Sequence, residues 1–160
     1  MGRELQIREL TAADRHALRF MFDHLGIDSR YQRFMTLKRE LSGADLRQLT
    51  SVDHWHHEAV IAWTSSPRRP VGVAHYYRAD EFDEAELAVT VVDAWQRHGV
   101  GRQLLAQLQV RAQKAGIRRF KAIALSTNRG AIALTRSLGP DVVARNQGPV
   151  VEVSGSWCPS

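Results

Sequence analysis

The sequence predicts a single α/β domain built on a mixed, strongly twisted sheet flanked by helices. Three observations carry this. Short apolar runs rich in Val, Ile and Ala alternate with longer stretches in which apolar residues recur every three or four positions, the patterns of strands and amphipathic helices. The chain has 160 residues, 44% of them hydrophobic and 24% charged, the size and composition of one globular domain. No repeat, low-complexity tract or linker divides it, so residues 1–160 are expected to form one unit.

The elements follow in order. Leu5 to Leu10 alternates apolar and polar residues, as a half-buried strand does. Thr11-Ala12-Ala13-Asp14 reads as the capped start of a helix that turns Leu18, Met21, Phe22 and Leu25 inward and stops at Gly26. A second helical stretch is expected over about Ser29 to Met35, and a third opens at Ser42 with Asp45 three residues on. Ala59 to Trp63 and Val71 to Tyr77 form a strand pair around the turn-rich Ser65–Pro70. Glu84 to Val92 is the next strand, with Leu87, Val89 and Val91 on one face and Glu86, Ala88 and Thr90 on the other. Arg102 to Ala115 carries Leu104, Leu105, Leu108 and Ala112 at helical spacing, and Gly116 closes it. Phe120 to Leu125 is a strand, Thr127-Asn128 caps a helix ending at Gly139-Pro140, and Val142-Val143 and Val150–Val153 complete a sheet of about six or seven strands.

Composition excludes several functional classes. One cysteine, Cys158, rules out an intrachain disulfide framework. No apolar run approaches the roughly 18 residues of a membrane span. The start, Met1-Gly2-Arg3-Glu4-Leu5, lacks a signal peptide's apolar stretch, so the expected location is the cytoplasm. Lys and Arg total 22 against 17 Asp and Glu, a net charge of +5, but the basic residues are scattered. No aromatic-plus-basic motif accompanies them, so nucleic acid is not the expected partner. His54, His56 and His57 with Glu58 lack the spacing of a zinc site, and a polar loop or a cleft wall is the favoured reading.

The informative segment is Val91-Val92-Asp93-Ala94-Trp95-Gln96-Arg97-His98-Gly99-Val100-Gly101-Arg102. A β-branched strand runs into a short loop, and glycines at spacing two open the longest amphipathic helix. The first N–H groups of a helix lack internal partners, and its dipole adds about half a positive charge there. Such a turn suits a phosphate or pyrophosphate, with Gln96, Arg97, His98 and Arg102 supplying donors and charge. A dinucleotide fingerprint would need glycine where Leu104 stands, and the G-K-[ST] of a P-loop is absent.

Q-R-H-G-V-G resembles the Q/R-x-x-G-x-G/A motif of the GNAT superfamily of acyl-CoA-dependent N-acetyltransferases. The likeness extends to A-E-L-A-V-T-V-V before the loop and to N-R-G-A-I-A-L-T-R-S-L-G after it, similar to the family's N-x-x-A-x-x-L-x-x-x-x-G segment. S-R-Y-Q-R-F-M, K-R-E-L-S and V-D-H-W-H-H-E-A-V-I-A in the first half are like the acetyltransferase domain of bacterial protein-lysine acetyltransferases.

The resemblance implies a GNAT fold and acetyl-CoA as co-substrate. It implies that the backbone of Gln96, Arg97, His98, Gly99, Val100, Gly101 and Arg102 binds the CoA pyrophosphate, that Val91 and Val92 pair with the pantetheine arm, and that Asn128 contacts the same arm. It matches Glu86 to a catalytic glutamate. The acceptor it implies is a protein lysine, with a small-molecule amine or a non-catalytic CoA-binding regulatory module as alternatives.

Chemistry supports Glu86 separately. A lysine amine, of pKa about 10.4, must lose a proton before it can attack a thioester, and a carboxylate can take it directly or through water. Partial burial is expected to raise the Glu86 pKa toward a useful range. Glu84, two residues away on the same face, is the rival base. Where many family members carry a tyrosine acid for the leaving thiolate, this chain has Thr135, and the usual Gly-Phe is Gly139-Pro140.

Overall fold

The computed structural model describes residues 4–34, 38–79 and 83–157. Met35 and Cys158 lie outside the described residues. The strands are β1 (Leu5–Glu9), β2 (His57–Thr64), β3 (Pro70–Arg78), β4 (Glu84–Val91), β5 (Arg119–Leu125), β6 (Val143–Gln147) and β7 (Val150–Ser156). The helices are α1 (Arg15–Asp23), α2 (Ile27–Phe34), α3 (Gly43–Thr50), α4 (Val100–Lys114) and α5 (Arg129–Arg136). All seven strands join one mixed sheet in the order β1-β2-β3-β4-β5-β7-β6.

Local chemistry explains small shifts from the sequence reading. The first helix starts at Arg15, after a 3-10 turn over Ala12–Asp14. The Asp14 carboxylate accepts from the Thr11 amide and from two Arg8 nitrogens, each at 2.8 Å, which fixes this turn against β1. α2 starts at Ile27, two residues early, and α4 at Val100, because Gly99 takes the left-handed cap with φ +81°. Ser42 and Asp45 form the expected capping box of α3, and Asn128 caps α5 by accepting from the Ala131 amide. β6 runs on to Gln147, and Gly148, at φ +76°, turns it into β7.

The core lies on both faces of β2 and β3, whose near-continuous apolar runs are almost wholly buried. α4 covers one face with Val100, Leu104, Leu105, Leu108 and Ala112, and α1 packs on β3 from the other. Gly72 lets α4 approach: a Cβ there would meet Leu104 at 2.9 Å and Val100 at 3.0 Å.

One seam differs from the rest. β3 pairs with β4 from Arg78–Ala85 through Gly72–Val91. β5 pairs with β7 from Arg119–Ser156 through Leu125–Val150. Between them, β4 and β5 are parallel, and only Glu84–Arg119, Ala85–Phe120 and Glu86–Lys121 pair. Beyond Glu86 the strands part, leaving one edge of each without a strand partner among the described residues.

Candidate functional site

A cleft of about 890 Å³ occupies this split. Because the split passes through the sheet, residues of both faces of β4 line it, Ala88 and Thr90 from one and Leu87, Val89 and Val91 from the other. Ala122, Ile123 and Ala124 of β5 form the opposite wall, and the starts of α4 and α5 close one end.

At that end the loop 96–99 bends sharply. Arg97 has φ +64° and Gly99 φ +81°. No neighbour crowds Gly99, so its requirement is conformational, whereas a Cβ on Gly101 would sit 2.9 Å from the Leu134 side chain, where α4 meets α5. The Gln103 amide donates to the Gly99 carbonyl, so the amides of Val100, Gly101 and Arg102 precede the first intrahelical donor. Arg97, Arg102 and Arg129 line the same end and add charge to the helix dipole. The sequence does not single out Arg129, although it follows Asn128 directly. This end combines a bare helix terminus, three cations and a free strand edge, which fits an extended ligand with a polyanionic head.

The expected site residues do not all reach the cleft. Glu86, Val91, Gln96, Arg97, Gly99, Gly101, Arg102 and Asn128 line it; Val92, His98 and Val100 do not. Val92 is buried, its amide donating to Val71 and its carbonyl accepting from Trp95, so its backbone serves the strand end. Val100 is buried beneath Gly72, which leaves only its amide for a ligand. His98 stands exposed, edge-on to Trp95 with ring centroids 5.9 Å apart. The Gln96 side chain also has a structural role. Its Nε2 donates to the Val91 carbonyl at 3.0 Å and to Ser29 Oγ at 3.2 Å, tying the loop to β4 and α2.

The other end is built across the sheet. Strand register sets His57, Tyr77, Glu86 and Lys121 in one row over β2, β3, β4 and β5. Glu86 sits where the strands begin to part, and Glu84 is not among the lining residues. Glu86 is exposed, and the partial burial expected for it is not there. Thr135 lines the cleft, but its hydroxyl donates to the Ala131 carbonyl at 2.8 Å, as helical threonines do, so its proton is held by the helix and not offered to a leaving group.

Sequence reasoning missed Arg33, Tyr77 and His75 here, and placed His57 in a polar loop or cleft wall. Arg33, from α2, lines the cleft; burial lowers the Arg33 pKa, while the neighbouring Tyr77 and Glu86 oppose that shift. Burial raises the Tyr77 phenol. His57 Nδ1 lies 2.9 Å from the Ser51 carbonyl, which only accepts, so this nitrogen carries the proton. In the neutral ring His57 Nε2 then accepts from His75 Nδ1, at 2.8 Å. Burial lowers the pKa of both rings, that of His75 far more. Tyr77 stacks on His57 at 4.5 Å. Cross-strand register and the placement of α2, which the sequence does not state, bring these residues together. His54, by contrast, turns away at φ +63° to Glu58 on the α4 side, and Asp53 caps the amides of Trp55, His56 and His57.

Comparison with known proteins gives a consistent result. Residues 28–139 match the family model of the acetyltransferase (GNAT) family. An acetyltransferase of Pseudomonas aeruginosa, PA5475, is 31% identical over 140 residues, covering 86% of this chain and 75% of that protein. The crystal structure of the GNAT domain of S. lividans PAT superposes with a TM-score of 0.86 at 26% identity, covering 95% of this chain and 90% of that one. An acetyltransferase of Salmonella typhimurium, yncA, solved with its cofactor acetyl-CoA, shares the fold at a TM-score of 0.77 and 21% identity, over 95% of this chain and 93% of that one.

Proposed function

The chain belongs to the acetyltransferase (GNAT) family, and from that premise we propose that it acetylates a protein lysine, with Glu86 as the general base. It is an N-acetyltransferase that uses acetyl-CoA. The acetyl thioester supplies the activated acyl group, and this chain's residues bind it, orient it and move the protons.

The amides at the start of α4, with Arg97, Arg102 and Arg129, hold the pyrophosphate end. The open edge of β4 at Val91, and the side-chain amide of Asn128, hold the pantetheine arm by hydrogen bonds. These contacts orient the thioester toward the point where β4 and β5 part. Glu86 stands at that point and takes the proton of the acceptor ammonium, directly or through one water, which frees the nitrogen lone pair for attack. Backbone N–H groups on the free β4 edge offer donors for the charge that develops on the carbonyl oxygen. With Thr135 tied to its helix, the departing thiolate takes its proton from solvent, as an ordinary thiol of pKa about 8.5 allows.

One observation carries this reading: the parting of β4 and β5 begins at Glu86 and opens onto the bare end of α4. Protein lysine as acceptor is supported by the likeness to the S. lividans PAT domain and by the exposure of Glu86. We take residues 1–160 as one domain acting in the cytoplasm. No helix among the described residues is long and apolar enough to cross a membrane.

The test is a calorimetric titration with acetyl-CoA, with free CoA and NADH as comparators, followed by mass spectrometry of lysine peptides. Saturable binding of acetyl-CoA but not NADH, with acetylated peptide formed, is the expected result. Turnover confined to small amines would move the acceptor class, and binding without turnover of any amine would leave a CoA-binding module. Folded protein that binds neither CoA species would remove the proposal.

A further inference from the structure

The acceptor end holds a cation that the transfer just described does not use. Arg33 is half-buried, lines the cleft beside Glu86, and carries a planar fork of five N–H donors. The ion pairs among the described residues are made by Arg8, Lys38, His54, His56 and Arg111, and none includes Arg33. Its neighbour is the phenol of Tyr77, which burial keeps protonated, and its guanidinium carbon lies 5.1 Å from the centre of the Phe34 ring. The facing histidines, His57 and His75, are kept neutral by burial. Among the described residues, Glu86 is the carboxylate that acts on Arg33 through space, and it is needed for the amine. A guanidinium withdrawn from water without its own carboxylate is costly, and an arriving carboxylate would supply the missing charge.

We propose that Arg33 receives a carboxylate carried by the acceptor close to its reacting amine, so that Glu86 takes the ammonium and Arg33 the carboxylate. Tyr77 and Phe34 hold the fork in place for this. Two sources present the same chemistry: the α-carboxylate of a free amino acid, or an Asp or Glu side chain next to a peptide lysine. The inference rests on the reading of Glu86 as the acceptor end.

The experiment compares kcat/KM for acceptor pairs that differ only in the carboxylate. Free amino acids are set against their amides, and lysine peptides flanked by Asp or Glu against those flanked by Asn or Gln. Wild type is expected to prefer the carboxylate member of one pair by about ten- to a hundredfold, the range of a charge-assisted hydrogen bond. The pair that shows the preference identifies the source. Arg33→Met is expected to bring the ratio to about one, and Arg33→Lys, which keeps the charge without the fork, to an intermediate value. Equal use of both members by wild type, or a ratio that survives Arg33→Met while both rates fall together, would overturn the role of Arg33 and leave Glu86 untouched. Failure to acetylate any of these acceptors despite saturable acetyl-CoA binding would overturn the acceptor-end reading and the Arg33 site with it.

Discussion

The two ends of the cleft are made by different means. The helix end draws most of its donors from one continuous stretch, Gln96 to Arg102, joined by Asn128 and Arg129; main-chain amides lead there, and the side chain of Gln96 braces the loop. The acceptor end is lined by Arg33 of α2 and Glu86 of β4, with His57, Tyr77 and Lys121 beside Glu86 in one register row, so it is built from five separate elements and its chemistry lies in side chains. A site of backbone amides is sensitive to φ and to close packing. A site of side chains is sensitive to functional groups. The two ends should therefore fail separately, one through binding and the other through turnover.

The largest expected separation comes from Glu86→Gln. It removes the base and leaves the strand intact, so kcat should fall by about 10²–10⁴. Affinity for acetyl-CoA, measured by calorimetry, should not change. A variant that loses affinity in step with rate would mean that Glu86 belongs to the other end.

Gly99→Val reverses the pattern. A β-branched residue at φ +81° is strained by about 1–2 kcal/mol. Each kcal/mol lowers the melting temperature of a protein this size by roughly 2–4 °C. The expected signature is weaker acetyl-CoA binding with that modest loss of stability, read by titration and thermal melt.

A third contrast uses pH. His57 and His75 are neutral in the fold because burial lowers their pKa values. Below the unfolded value of about 6.5 the unfolded chain binds protons that the fold refuses, so stability falls as pH drops from about 7 toward 5. The slope is at most about 1.4 kcal/mol per pH unit for each histidine. His54, raised chiefly by its bond to Glu58, acts in the opposite sense: its contribution is complete below about 6.5 and is lost as pH rises through its folded pKa. Melts in a His54→Gln background isolate the buried pair, and stability that does not fall on acidification would contradict its neutral state.

The smallest effect is expected from Thr135→Val. Its hydroxyl is tied to Ala131, so kcat should hold, with stability changed by no more than about 1 kcal/mol. A tenfold loss of rate would show that the threonine acts on the leaving thiolate after all.

What the sequence could tell divides along the same line. The strands, the capping of α3 by Ser42 and of α5 by Asn128, and the glycine loop are local features, written in spacing of a few residues. The loop's family signature is legible for the same reason. Val92 shows the limit even there: alternation along the strand cannot reveal that its amide is already held by Val71. The row from His57 to Lys121 depends on how four strands align, and Arg33 joins it only because α2 lies over that row. Neither register nor helix placement is carried by short-range pattern. The exposure of Glu86 escapes the sequence on the same ground, since whether a strand face is covered is decided by distant elements.

The central claim is that acetyl-CoA enters where β4 leaves β5 and lies against the start of α4. Backbone amide hydrogen exchange, followed with and without acetyl-CoA, tests it most directly. The expected result is new protection over Leu87–Val91 and Arg97–Arg102, with the β1–β2 pairing unaltered. Saturable binding that leaves those two segments unprotected, or protects a different surface, would contradict the account.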